Sequence, residues 1–178
     1  MLNTLKLIAA RLDASGYPWL LGGETALAMH GLGVRSQDLL IYTDRIGSYD
    51  FGHHFRAEAV TPVHATRKGS LTVHEGDFRV RGIPIRIIGD PVLAGEDILV
   101  PLPMKEIVDK VERMSVSGQL IPVIPLEWMF IIEIIAGATE DRLQQIAEEE
   151  PSAEKVFQIL QRFGLYLKMK ERVQALLF

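Results

Sequence analysis

The spacing of apolar and polar positions divides the chain into a mixed front and a helical rear. Leu5, Ile8 and Leu12 recur at helical intervals before Gly16, which predicts an opening helix. The run Tyr17-Pro18-Trp19-Leu20-Leu21 is short, apolar and bounded by turn formers, and reads as a buried strand. Gly22-Gly23 breaks it, and ETALAMHG returns to helical spacing as far as Gly31. The stretch 35–44 contains a second strand, DLLIYT. Over 46–56, where Gly, His and aromatic residues mix, the chain is expected to be irregular. From 58 to 90, β-like runs alternate with turn signals. A hairpin is expected with arms 71–73 and 78–80 around Glu75-Gly76-Asp77, and after Gly82 a strand over 83–88 ends at Gly89-Asp90-Pro91.

Beyond Pro103 the pattern turns helical. MKEIVDKVERMS is amphipathic, and a short extended piece precedes a strongly apolar helix from about Pro125. A polar helix EDRLQQIAEEE, one opened by Pro151-Ser152 and one after Gly164 complete the chain. The expected fold is α+β: a small mixed β-sheet flanked by helices, with a C-terminal helical portion. Residues 1–103 form the expected α/β core, and 104–178 a mainly helical portion packed on it.

Composition narrows the functions. A chain of 178 residues, 48% hydrophobic and 24% charged, can bury a sizeable core. Its net charge of −4 argues against broad nucleic-acid binding. The absence of cysteine excludes disulfides and thiolate zinc sites. Lys6, Arg11 and Asp13 interrupt the N-terminal apolar run, and WMFIIEIIAGA is too short to span a bilayer and carries Glu133. A cytoplasmic protein without a membrane partner is expected.

A strand, Gly-Gly, helix sequence lets backbone approach a ligand closely and offers the free N–H groups of a helix start, an arrangement suited to phosphate. The longer stretch GGETALAMHGLGVRSQDLLI resembles the DNA polymerase beta-like nucleotidyltransferase superfamily, closest to bacterial proteins related to abortive-infection toxins and small-substrate nucleotidyltransferases. Gly22, Gly23, Ala26, Leu27, His30, Gly31, Arg35 and Asp38 match the family pattern residue for residue, with Ser36 where threonine is usual. GIPIRIIGD resembles the strand carrying the family's third carboxylate. IPVIPLEWMFIIEIIAGATEDRLQQI resembles a helical segment ending in acids near Asp141. The likeness covers most of 17–146.

The resemblance implies transfer of a nucleotide from a nucleoside triphosphate to a small molecule, RNA or protein. Two Mg²⁺ ions held by clustered carboxylates would assist. Gly22, Gly23, Arg35 and Ser36 would bind the nucleotide, and Asp38 would be the catalytic, metal-binding acid. Three positions depart from the pattern. Leu40 stands where the second carboxylate is expected, two residues after Asp38 and therefore on the same face of a strand. Arg86 stands at the third carboxylate position and Glu133 where lysine is usual. This double inversion suggests a salt bridge between Arg86 and Glu133 across the cleft. A substitute carboxylate would have to come from Asp44, Asp50 or Asp90, with Asp90 the candidate metal ligand. Asp44 lies six strand residues from Asp38, roughly 20 Å.

Other candidates weigh less. His53-His54, His64 and His74 show no tight ligand spacing, so no zinc site is expected. His30 is expected to pack or cap. Arg56, Arg67, Lys68, Arg79 and Arg81 read as a solvated sheet face. The leading expectation is a nucleotidyltransferase-like protein with a degenerate metal site and weak or no transfer, able to bind a nucleotide. The alternatives are an active Mg²⁺-dependent transferase and an interaction module, a toxin–antitoxin-like partner or a homodimer, that uses the apolar helix 128–135 as interface.

Overall fold

A computed structural model describes residues 2–178. Helix α1 (Leu2–Ser15) is followed by β1 (Trp19–Gly22), α2 (Gly23–Met29), β2 (Leu39–Thr43) and α3 (Arg45–His54). Three long strands come next: β3 (Ala59–Lys68), β4 (Leu71–Val80) and β5 (Ile83–Gly89). A small ribbon of β6 (Val92–Ala94) and β7 (Leu99–Pro101) leads to α4 (Met104–Lys110). The hairpin β8 (Arg113–Val116) and β9 (Gln119–Pro122) precedes α5 (Leu126–Ile135) and α6 (Glu140–Ala147). Helices α7 (Ala153–Arg162) and α8 (Tyr166–Leu177) close the chain. The fold is α+β, as expected.

The main sheet has the order β1-β2-β5-β4-β3. Only β2 and β5 run parallel; the other neighbours are antiparallel. Side chains alternate across it. Leu39, Ile41, Ile85, Ile87 and Phe78 point to one face and are almost fully buried. Helix α3 packs on that face, with the Phe55 ring just beyond its end tilted against Phe78, the ring centroids 6.0 Å apart. Leu40, Arg86 and Asp77 point to the other face, part of which α5 covers. Trp128, Met129, Phe130, Ile131, Ile134 and Ile135 of α5 are all buried, so this helix is core rather than an exposed docking face. One hydrophobic cluster runs from α1 through the sheet to α8 and joins residues of 1–103 to residues of 104–178. No helix among the described residues is long and apolar enough to cross a membrane.

The structure corrects three elements. Residues 46–56, expected to be irregular, are mostly α3, capped by Asp44, whose Oδ1 accepts the Gly47 N–H at 2.6 Å. Tertiary burial of Phe51 and Phe55 stabilises a segment with weak local propensity. The expected turn at Glu75-Gly76-Asp77 is strand interior. Gly76 lies opposite a bulge in β3, where a Cβ would meet the Val63 backbone nitrogen at 3.0 Å, so glycine there makes room rather than a turn. The helix read over MKEIVDKVERMS stops at Lys110, and Arg113–Val116 pairs with β9. The chain after β9 then lies along β1, where the Ile124 N–H donates to the Leu21 carbonyl at 3.0 Å.

Candidate functional site

Where β1 ends and β2 begins, the sheet opens into a cleft of about 560 Å³ lined by Gly23, Asp38, Leu40, Asp77, Arg86 and Glu133 among others. Strand pairing alone explains the gathering. Gly22 pairs with Leu40, Leu40 with Arg86, and Arg86 with Asp77, forming one row across four strands. Neighbours in such a row stand about 4.8 Å apart. Asp38 lies two residues before Leu40, just ahead of β2. The sequence thus placed Gly23, Asp38, Leu40, Arg86 and Glu133 at one site, and the structure brings these five together.

Gly23 adopts φ +64 and presses on Leu40; a Cβ there would sit 3.2 Å from the Leu40 Cβ. Backbone conformation and packing therefore both call for glycine at position 23. Gly23→Ala is expected to destabilise the fold by about 2 kcal/mol through the left-handed backbone and this contact, measurable as a lowered urea midpoint. Behind the turn, the Thr25 hydroxyl lies 2.8 Å from Ser36 Oγ, and the Ser36 hydroxyl donates to the Asp38 carbonyl at 2.7 Å. Ser36 thus holds the approach to β2 rather than facing the cleft. Arg35 is exposed in the same segment and does not line the cleft.

The charges pair differently from the expected Arg86–Glu133 bridge. Arg86 donates side-on to Asp77, Nε to Oδ1 at 2.8 Å and Nη2 to Oδ2 at 3.4 Å. This hydrogen-bonded carboxylate raises the guanidinium pKa further, and Glu75 and Asp38 add to the effect. Glu133 forms no ion pair among the described residues. Its carboxyl is pushed above the ordinary range by burial, opposed by Arg142 and reinforced by Glu24. Arg142 of α6 bonds Glu24 in the first turn of α2. Burial, with Glu133 nearby, pushes the Tyr42 phenol up to about 12. This pairing has a simple cause. Asp77 sits directly beside Arg86 on the next strand, whereas Glu133 hangs from a helix whose neighbouring cation is Arg142.

Sequence reading missed Asp77 because it assigned a turn there. The two-residue connection Arg81-Gly82 was the available signal. Counting back three residues from the Val80–Ile83 pair reaches Asp77 and Arg86.

The substitute carboxylates fall elsewhere. Asp90 follows β5 and Asp44 follows β2, both at the carboxyl ends of these parallel strands, while Asp38 precedes β2. The Asp38–Asp90 metal pair is therefore ruled out by a ladder of five paired residues, roughly 17 Å long. Asp50 lies in α3, 3.1 Å from His54. Among the described residues, no group of three or more histidines and carboxylates could hold a metal ion. Instead of a second and third carboxylate the cleft presents Leu40 and Arg86, so the residues do not fit a magnesium pair. His30 bonds the Ile124 carbonyl with Nε2 at 2.7 Å, a packing role.

Neither a family model nor a protein of curated function matches the chain. Solved structures do. TM1012 of Thermotoga maritima, assigned as a nucleotidyltransferase, superposes with a TM-score of 0.66 at 23% identity, over 90% of this chain and 92% of that one. The antibiotic-resistance factor ANT(2'')-Ia superposes with a TM-score of 0.50 at 11% identity, over 99% of this chain and 88% of that one. At these identities the likeness establishes the fold.

Proposed function

We propose that this chain keeps a nucleotidyltransferase fold without metal-dependent transfer and holds nucleotides only weakly. The observation that carries the reading is the central row of the cleft. Leu40 and Arg86 occupy adjacent positions where paired carboxylates would be needed, and Asp77 anchors the Arg86 guanidinium in place. Leucine offers no oxygen to a hard cation. A permanently charged guanidinium repels one and keeps its charge at any working pH.

The surrounding charge also bears on nucleotides. Glu24, Asp38, Asp77 and Glu133 face the cleft against Arg79 and Arg86. Without metal to neutralise it, a triphosphate meets more negative than positive charge, so a nucleotide is held weakly. A neutral or base-and-sugar portion fits this environment better than a polyphosphate.

Calorimetric titration with ATP, GTP, CTP and UTP, each with and without Mg²⁺, tests the reading. The expected result is a Kd weaker than about 1 mM for each triphosphate, unchanged by magnesium. Tightening of tenfold or more by magnesium, or pyrophosphate release from any of the four, would overturn it.

A further inference from the structure

A second cavity, of about 710 Å³, lies at the opposite end of the parallel β2–β5 pair from the cleft. The volume is within the range of small-molecule sites. Its apolar lining comes from Leu71, Val92, Leu102 and Met104.

The charged lining is polarised. Asp44 and Asp90 follow adjacent strands side by side. Each uses one carboxylate oxygen to accept a backbone N–H at the start of α3, from Gly47 at 2.6 Å and from Arg45 at 3.0 Å. Each keeps its second oxygen for another partner. Asp109 of α4 joins them, with Lys105 offsetting part of the charge. These residues, apart from Asp90, also line a groove on the Tyr17 side of α4. On the other flank of α4, Glu106 is shared between Lys110 and Arg162, which leaves a surplus of positive charge there. Glu106 and Lys110 also line a groove towards Trp128. The acids do not converge on a point, since no three of them could hold a metal ion. The cavity therefore fits an elongated organic ligand better than a bare cation.

We propose that this cavity binds a small bipolar molecule, its ammonium group at Asp44 and Asp90, its apolar stem along Leu71, Leu102 and Met104, and its carboxylate at Lys110 and Arg162. This site does not depend on the reading of the cleft.

Titration calorimetry with 6-aminohexanoate, hexylamine, hexanoate and Mg²⁺ tests it. The expected result is a Kd of about 1 mM for 6-aminohexanoate, at least roughly tenfold tighter than either half-charged analogue. Asp44→Asn/Asp90→Asn keeps a side-chain oxygen to accept each of the two backbone N–H groups and should weaken binding roughly tenfold. Arg162→Ala should weaken it similarly from the other end; the Arg162 side chain is 51% exposed, so folding is preserved if the first variant fails by circular dichroism. Three outcomes overturn the proposal: equal binding of all three organic probes, affinity unchanged in Arg162→Ala, or competition by Mg²⁺ for the same site.

Discussion

Replacing Leu40 and Arg86 together by aspartate is expected to create a divalent-cation site in the cleft. The two positions are paired on a parallel ladder, so the new carboxylates stand about 4.8 Å apart on one face. Asp38 precedes Leu40 by two residues and faces the same cleft, supplying the third acid. Removing Arg86 also frees Asp77, which its guanidinium now neutralises. Mn²⁺ affinity should rise at least roughly 100-fold over the native protein, a gain of about 2.7 kcal/mol, read by calorimetry or by manganese relaxation. Leu40→Asp alone should gain much less, because Arg86 remains beside the new acid. The substitution leaves the Cβ that packs on Gly23. If the double variant folds and gains no affinity for Mn²⁺, the cleft has changed shape as well as chemistry, and the account of Leu40 and Arg86 as the decisive departures fails.

The second large effect is expected at Arg142. Its side chain is only 16% exposed, bonds Glu24, and is the cation that opposes the upward shift of the half-buried Glu133. Arg142→Gln leaves Glu133 and Glu24 facing each other without a counter-charge. The expected loss is about 2 kcal/mol at pH 7, below the 3–5 kcal/mol seen for fully buried pairs because Glu24 is about half exposed.

The loss should depend on pH with a defined sign. Burial raises the Glu133 pKa in the folded protein, so folding favours its protonated form. That contribution is complete below the ordinary carboxylate pKa, about pH 4, and is lost as pH rises through the raised value. Removing Arg142 raises that value further. The deficit of the variant relative to the native protein should therefore be small near pH 4 and grow towards pH 7, as urea unfolding at several pH values would show. Adding Glu133→Gln should recover most of the loss at pH 7 and flatten its pH dependence. A deficit equal at all pH values and untouched by Glu133→Gln would mean that Arg142 acts through packing alone.

These effects separate what is legible in the chain from what pairing decides. The sequence by itself determined the α+β class, the Gly-Gly turn, the second strand to within one residue of its start, and the absence of an acid at Leu40. Each is a local property: a two-residue period on a strand, or the identity of one side chain, fixes it without reference to anything distant. The location of Arg86 and Glu133 in the cleft was also legible. Their partners were not, because a salt bridge depends on which element lies alongside. Register set Asp77 beside Arg86, and the packing of α6 on α5 set Arg142 near Glu133. The helical state of 45–54 and the strand state of 71–80 were likewise tertiary decisions. Burial of Phe51 overrode weak helical propensity, and a bulge in β3 accommodated Gly76 within a strand. The meeting of Asp44 with Asp90 came last and least visibly. They are far apart in sequence, and only the parallel alignment of β2 with β5 makes them neighbours.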